Sequence, residues 1–174
     1  MKDFLPVLKI LLRFVVIYIV FVLLYQLYLN NYESEVVDPF TRWVAKQVAF
    51  VQDCFGYPTT LVDSMKLHSI LFQTSGQYTT RMVEGCNAIS VAVLFSAFIF
   101  AFYKGSKTFL FVFIGLIILH ILNVSRIALL NFIYLKYSDY EQMAHDYIFP
   151  SIIYGGVIVL WLVWIQYFAL KKVD

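Results

Sequence analysis

Charged residues are scarce in this chain. Only 14% of its 174 residues are charged, whereas soluble domains carry about 25%. So little charge cannot cover the surface of a water-soluble globule, and this excludes an ordinary soluble domain. The net charge of +2 is small and scattered, which argues against a nucleic acid partner. A membrane protein is indicated instead, and the length suggests a single domain over residues 1–174.

Cysteine is also scarce, since the chain contains only Cys54 and Cys86. Two cysteines do not make a disulfide framework, and neither a CxxC nor an HExxH motif occurs. A Cys54–Cys86 disulfide stays open as an alternative, because both cysteines fall on the predicted outer, oxidising side. His68 and His120 have no paired carboxylate, so we predict structural roles for them. No metal or organic cofactor is predicted.

The apolar residues are concentrated in four long blocks. A helix that crosses the hydrocarbon core needs roughly 20 predominantly apolar residues, and lipid offers its backbone groups no other partner. We predict transmembrane helices at about 10–29, 88–103, 109–135 and 148–170. The first block is too long for a signal peptide and lacks a small-residue cleavage site, so we interpret it as a span.

Basic residues flank these blocks on one side. They precede the first block, fill the turn between the second and third, and follow the fourth: Lys2, Lys9, Arg13, Lys104, Lys107, Lys171 and Lys172. Positive charge marks the cytoplasmic side of a membrane protein. The pattern therefore predicts that both termini are cytoplasmic and that the segment 30–85 faces outward.

The outer segment 30–85 has structure of its own. Apolar residues recur at helical spacing over Phe40–Val51, which predicts an amphipathic helix along the membrane interface. The segments 67–72 and 78–83 flank Ser75-Gly76 and predict a short β-hairpin that leads to Cys86. The predicted fold is an all-α integral membrane protein with four transmembrane helices, an interfacial helix and this hairpin.

Three residues that are distant in the sequence are predicted to share one level at the outer face. Cys86 lies 18 positions before Lys104, and Arg126 lies 19 positions after Lys107. At 1.5 Å per residue, both rise roughly 27–29 Å from the cytoplasmic turn. His145 precedes the fourth predicted span on the same side. A thiol, a guanidinium and an imidazole are thus expected near one another.

The surroundings of the thiol and the guanidinium favour chemistry. An arginine at the bilayer centre costs at least about 3 kcal/mol, although a snorkelling anchor would explain Arg126 without any function. His120, Asn123 and Arg126 fall on one helical stripe, which we expect to face protein. Cys86 begins a span, where the helix N-terminus and a nearby arginine favour the thiolate.

His145 gains interest only because Cys86 and Arg126 reach its level, since a lone loop histidine is usually solvated. Its neighbour Asp146 either orients the imidazole or caps the following helix. We favour the cap, because aspartate is a preferred residue at helix starts.

Three short motifs resemble those of the exosortase/archaeosortase family. Glu84-Gly85-Cys86-Asn87-Ala88-Ile89 resembles the cysteine motif, Asn123–Ile127 the arginine motif, and His145 with Ile148–Gly156 the histidine motif. They occur in family order over about 78–156, and the short chain is similar to exosortase F-like members. The usual cysteine motif reads Cys-Ser-Gly, whereas this chain has Cys86-Asn87-Ala88, which alters the turn beside the thiol.

The resemblance implies a membrane-embedded cysteine protease and transpeptidase. It implies that Cys86 is the nucleophile, Arg126 the oxyanion stabiliser and His145 the general acid and base. Supporting residues would be Glu84, Asn87, Asn123 and Asp146. The implied substrates are exported proteins that end in a recognition motif, a hydrophobic helix and a basic tail. The implied location is the bacterial inner membrane, with the site facing the periplasm and with an accessory membrane protein as a further partner.

Two other classes of function stay open. A membrane subunit that only docks a partner would use Arg126 as an interhelical anchor and Cys86 for packing. A thiol–disulfide oxidoreductase would use Cys54 and Cys86, although it lacks the CxxC motif. A transporter is disfavoured, because the predicted spans are not broken by glycine or proline.

Overall fold

The computed structural model describes residues 4–169. Lys2, Lys171 and Lys172, on which the predicted orientation partly rests, lie outside the described residues, as does Leu170 at the end of the fourth predicted span. The main elements are the helices α1 (Phe4–Asn30), α2 (Pro39–Cys54), α3 (Ile89–Ala101), α4 (Ser106–Lys136) and α5 (Phe149–Trp164), with the strands β1 (Thr59–Ser64), β2 (Ser69–Thr74) and β3 (Gln77–Met82).

Three helical segments are long and apolar enough to cross a membrane. They lie at Val7–Asn30, Ser106–Lys136 and Ala144–Phe168. The helix α3 is equally apolar but has only 13 residues, or about 20 Å at 1.5 Å per residue. That is shorter than a hydrocarbon core of about 30 Å. The prediction of four transmembrane helices is therefore supported for three of them and not confirmed for α3.

The helix α3 is shorter than predicted because the chain turns at both of its ends. A short helical turn, Glu84–Cys86, precedes it, and Ala88 then adopts a left-handed conformation. At the other end the helix stops at Ala101, and Gly105 has a φ of +70° before α4 begins. The turn at Lys104–Lys107 was predicted, but hydropathy does not show that the helix ends before it, because Phe102 and Tyr103 are apolar. In the same way, the apolar Ala88 was assigned to the span.

The outer segment contains a three-stranded antiparallel sheet with the order β1-β2-β3. The predicted hairpin is confirmed as β2 and β3. They are joined at Ser75-Gly76, where both residues have positive φ, as in type I′ turns. The strand β1 was not predicted, because Thr59–Ser64 has polar residues at both ends and only two adjacent apolar residues. The fold class is corrected accordingly, from all-α to mostly helical with a small sheet.

The predicted amphipathic helix is confirmed as α2. The Asp38 carboxylate caps its first turn by accepting from the backbone N–H groups of Phe40 and Thr41. Proline at the first helical position supports this start, because its fixed φ suits a helix and its missing N–H is not needed there.

The apolar face of α2 packs on the protein. Val44 and Val48, which we expected at the membrane interface, are fully buried against Ile70 and Phe72 of β2 and against α4. The Trp43 side chain projects outward and is about half exposed. The helix is thus one wall of a small core formed by α2, the sheet and α4.

A second apolar cluster fixes α3 against α4 and α5. It contains Phe95, Leu119, Val157 and Trp164. The Phe95 ring lies so close to Gly115 that a Cβ atom there would approach it to 2.3 Å. A side chain at position 115 would therefore push α3 away from α4.

A buried asparagine joins α4 to the outer segment. The Asn131 Oδ1 accepts from the hydroxyls of Thr79, at 2.9 Å, and Thr80, while its Nδ2 donates to Gln52 Oε1 at 3.0 Å. Both threonines reach it because β3 has a bulge: two residues oppose Phe72 between the pairs Leu71↔Arg81 and Gln73↔Tyr78. The hydrogen bonds of Asn131 thus link the sheet, α2 and α4.

We predict that Asn131→Ala lowers the free energy of unfolding in detergent by about 2–3 kcal/mol. The substitution leaves the Gln52 amide oxygen and the Thr80 hydroxyl without their partner, and each unsatisfied buried group costs about 1–3 kcal/mol. The Thr79 hydroxyl keeps the Phe72 carbonyl as a partner. Asn30→Ala is the matched control, because Asn30 is exposed and bonds only the exposed Gln26 side chain. Equal stabilities of the two variants would contradict the prediction.

Candidate active site

Cys86 lies in the turn that connects the sheet to the membrane helices. The strand β3 ends at Met82, the turn Glu84–Cys86 follows, and α3 begins at Ile89. The thiol is free and partly buried, and Cys54, at the end of α2, is free and exposed. The alternative of a Cys54–Cys86 disulfide is therefore wrong for this structure.

The side chain of Asn87 anchors this turn. Its Oδ1 accepts from the Ile89 N–H at 2.8 Å, and its Nδ2 donates to Tyr25 Oη at 3.0 Å and to Thr41 Oγ1 at 2.9 Å. Asn87 is only 3% exposed. The residue after the thiol thus connects α1, α2 and the start of α3.

A second asparagine holds the thiol residue from the other side. The Asn123 Nδ2 donates to the backbone carbonyl of Cys86 at 3.1 Å. Asn123 is buried, and Arg126 lies one turn further along the same face of α4. The prediction that this stripe faces protein is confirmed. Its third member, His120, contacts Gln47 Oε1 at 2.8 Å and stacks on Trp43, which fits the predicted structural role.

Arg126 is brought next to the thiol. Its guanidinium is close enough to Cys86 and Tyr154 to interact electrostatically with both. The Nε atom is buried and has no hydrogen-bond partner among residues 4–169. A buried N–H group without a partner is costly, so this N–H can donate to a ligand oxygen without losing an existing bond.

Cys86, Arg126 and His145 line one cavity of about 710 Å³. Its walls come from β3, from one face of α4 and from the start of α5. Cys86 and Arg126 also line a smaller cavity of about 180 Å³ with Tyr154 and Pro150. The three predicted residues thus line one cavity, and Cys86 and Arg126 lie at the boundary between the larger and the smaller cavity.

His145 pairs with its neighbour. The imidazole Nδ1 and the Asp146 Oδ1 lie 2.8 Å apart, and both side chains are largely exposed. The preferred role of Asp146 as a helix cap is wrong, because no side chain caps this start. Met143 already has helical backbone angles, and the wide turn Ala144–Ile148 continues into α5, so the backbone there needs no cap. The contact between Asp146 and His145 is consistent with the other predicted role, in which Asp146 orients the imidazole.

Glu84 lies apart from the other predicted site residues. It lines a separate cavity of about 430 Å³, together with His68 and residues of α1. Within the described part of the chain, no group of three histidine, cysteine, aspartate or glutamate side chains is placed to hold a metal ion.

Three residues of the site were not predicted from the sequence. Tyr25 and Thr41 bind Asn87 across 62 and 46 positions of the chain, and no local pattern signals such pairs. Tyr154 lies within an apolar helix and lines the smaller cavity. The one indication of its role in the sequence was its hydroxyl, a polar group inside a predicted span.

Ala88 adopts an unusual backbone conformation beside the thiol, with φ +64° and ψ 12°. This left-handed region costs an L-residue roughly 1–2 kcal/mol, whereas glycine enters it freely. Glycine is the usual residue here in the family that the motif resembles. The chain therefore keeps a glycine-type turn without the glycine.

We predict that Ala88→Gly raises the free energy of unfolding by up to about 1 kcal/mol. Relief of the strained backbone exceeds the entropy that glycine adds to the unfolded chain. Ala97→Gly is the matched control in the middle of α3, and it should destabilise the protein by roughly 0.5–1 kcal/mol or more. Denaturant unfolding in detergent measures both variants, and a loss of stability in Ala88→Gly would show that the turn is not strained.

Comparison with known proteins adds an independent observation. No curated protein and no solved structure matches the chain. The sequence does match the family described as transmembrane exosortase over residues 5–168. Because this match covers nearly all of the 174 residues, the chain belongs to the transmembrane exosortase family.

Proposed function

We propose that the chain is a membrane-embedded cysteine protease and transpeptidase. It cleaves the C-terminal sorting tails of exported proteins at the extracytoplasmic face and transfers the new C-terminus to a surface acceptor. The observation that carries the proposal is the single cavity lined by Cys86, Arg126 and His145. Membership of the exosortase family supports the same class of chemistry.

In the first step, the Cys86 thiolate attacks the carbonyl carbon of the scissile peptide bond. The tetrahedral intermediate collapses to a thioester, the C–N bond breaks, and the departing amine takes a proton from His145. In the second step, an acceptor nucleophile attacks the thioester and gives its proton to His145. The C–S bond breaks, and the thiolate is regenerated.

Arg126 stabilises the negative oxygen of the intermediate. Its half-buried guanidinium carries a buried Nε that lacks a partner, and an oxyanion would supply that partner only during the reaction. Donors that are fixed in advance around a developing charge lower the barrier, because they need no reorganisation.

Asp146 orients His145. Its carboxylate contacts Nδ1 at 2.8 Å, which favours the tautomer with a proton on Nδ1 and leaves Nε2 available for proton transfer. Because both side chains are exposed, the pair contributes little to stability. In the proposed mechanism, the Asp146–His145 contact instead serves to orient the imidazole.

The proposed site suits a substrate with a hydrophobic tail, which would pack beside the membrane helices while the motif enters the cavity. We place the enzyme in the bacterial inner membrane, with both termini cytoplasmic and the cavity toward the periplasm. This orientation requires α3 to cross the membrane despite its length. The basic turn at Lys104 and Lys107 supports a cytoplasmic position for its far end.

We predict that Cys86→Ala abolishes processing of a tail-bearing exported protein, a loss of at least about a thousandfold. Without the thiol, no thioester forms. Cys54→Ala is the matched control, because Cys54 is also free but exposed and lies outside the cavity. Processing is followed as the mass change of the substrate in whole cells. Normal processing by Cys86→Ala would rule out the mechanism, and loss in Cys54→Ala would favour an oxidoreductase.

We predict that Arg126→Gln slows acylation of Cys86 by a thiol-reactive acyl probe about a hundred- to thousandfold. Loss of one oxyanion donor has an effect of that size in other enzymes. The matched control is Arg42→Gln, because Arg42 forms only a surface ion pair with Asp63. A subunit that only binds a partner would react slowly in every variant, without dependence on Arg126.

A further inference from the structure

The strand β3 is an edge strand, and its free edge forms one wall of the large cavity. The order β1-β2-β3 leaves β3 paired on one side only. Every residue of Tyr78–Val83 lines the cavity, including Arg81, which is exposed, and Met82, which is 1% exposed. Successive strand side chains point to opposite faces. A cavity that touches both sets therefore runs along the edge of the strand.

Among the described residues, no backbone–backbone hydrogen bond joins Tyr78–Met82 to a segment outside the sheet. A row of unpaired N–H and C=O groups is a template for another extended chain. Peptide-binding proteins use such edges for strand addition, where main-chain bonds supply affinity.

The edge leads directly to the proposed nucleophile. Three residues, Val83–Gly85, separate the end of β3 from Cys86. An extended peptide that follows the strand would therefore end within a few residues of the thiol. The facing wall comes from α4, through Ile127 and Leu130, and the volume of about 710 Å³ lies within the usual range for ligand sites.

The bulge in β3 limits the part of the strand edge along which a further strand could pair regularly. Thr79 and Thr80 both oppose Phe72 and turn toward Asn131, so the ladder is interrupted there. Continuous pairing is left to the short stretch Arg81–Val83, because the turn Glu84–Cys86 that follows is helical. Bulges beside active sites commonly end a strand pairing in this way.

We propose that an extended segment of the substrate, adjacent to its scissile bond, binds as a fourth strand along the outer edge of β3. The inference rests on the proposed function, and it specifies how that function recognises its substrate: by an extended main chain near Cys86. Lipid is a poor occupant, since it offers no alternating donors and acceptors to the strand.

The test uses an equimolar library of blocked hexapeptides that end in a vinyl sulfone. The Cys86 thiolate adds across the vinyl group, and intact-mass analysis of the full chain in detergent measures the rate. Parallel libraries carry one N-methyl group at each backbone amide in turn, which removes a donor without changing any side chain. We expect methylation of the one or two amides that bond the outward groups of Arg81–Val83 to slow labelling about tenfold, and methylation at the other amides to change it less than twofold.

The outcomes separate the two proposals. Labelling that responds equally at all amide positions, or at none, overturns strand addition and leaves the proposed function intact. If no peptide labels Cys86 although iodoacetamide does, the proposed function falls, and the inference falls with it.

A second measurement tests whether peptide binding protects the backbone amides of β3. Hydrogen exchange of the β3 amides should slow severalfold in the peptide-labelled protein and not in the iodoacetamide-labelled protein. Equal exchange in the two forms would overturn strand addition.

Discussion

Buried amide side chains hold the outer segment on the membrane helices, and the site depends on them. Asn131 joins α4 to the sheet and to α2, Asn123 binds the Cys86 carbonyl, and Asn87 joins the turn that carries Cys86 to α1 and α2. A buried polar group without a partner is costly, so each asparagine fixes a distance between two elements. The thiol is positioned by these three contacts and by the apolar packing of α3.

The motif Cys86-Asn87-Ala88 becomes intelligible in these terms. A left-handed alanine is less favourable than glycine, but Asn87 offsets the strain by bonding the Ile89 N–H and two side chains of other helices. A serine could not donate to both Tyr25 and Thr41, because its hydroxyl carries a single proton. In this chain, which departs from the usual family motif, the turn is thus held by contacts from two other helices.

Much of the site could be predicted from the sequence, and the reason is geometric. Helices rise by a fixed amount per residue, so counting from the basic turn placed Cys86 and Arg126 near one level. The same regularity placed Asn123 and Arg126 on one face. The hairpin at Ser75-Gly76 was predictable because its turn residues are specific.

Other features depend on contacts that are remote in the sequence. The strand β1 has too few apolar residues for its own signal and exists because β2 pairs with it. The short length of α3 follows from turns whose neighbours are apolar. The pairing of His145 with Asp146 follows from a wide helical turn that removes the need for a cap. Hydropathy and residue preference describe none of these.

The shortness of α3 has a consequence for where the reaction takes place. If this 13-residue helix crosses the bilayer, its ends are about 10 Å closer together than the two surfaces of the hydrocarbon core. The lipid must then thin around it, or the sulfur must lie below the surrounding headgroups. In the second case, water would reach the thioester of the proposed reaction only through the mouth of the cavity, so an acceptor held there would meet less competition from hydrolysis.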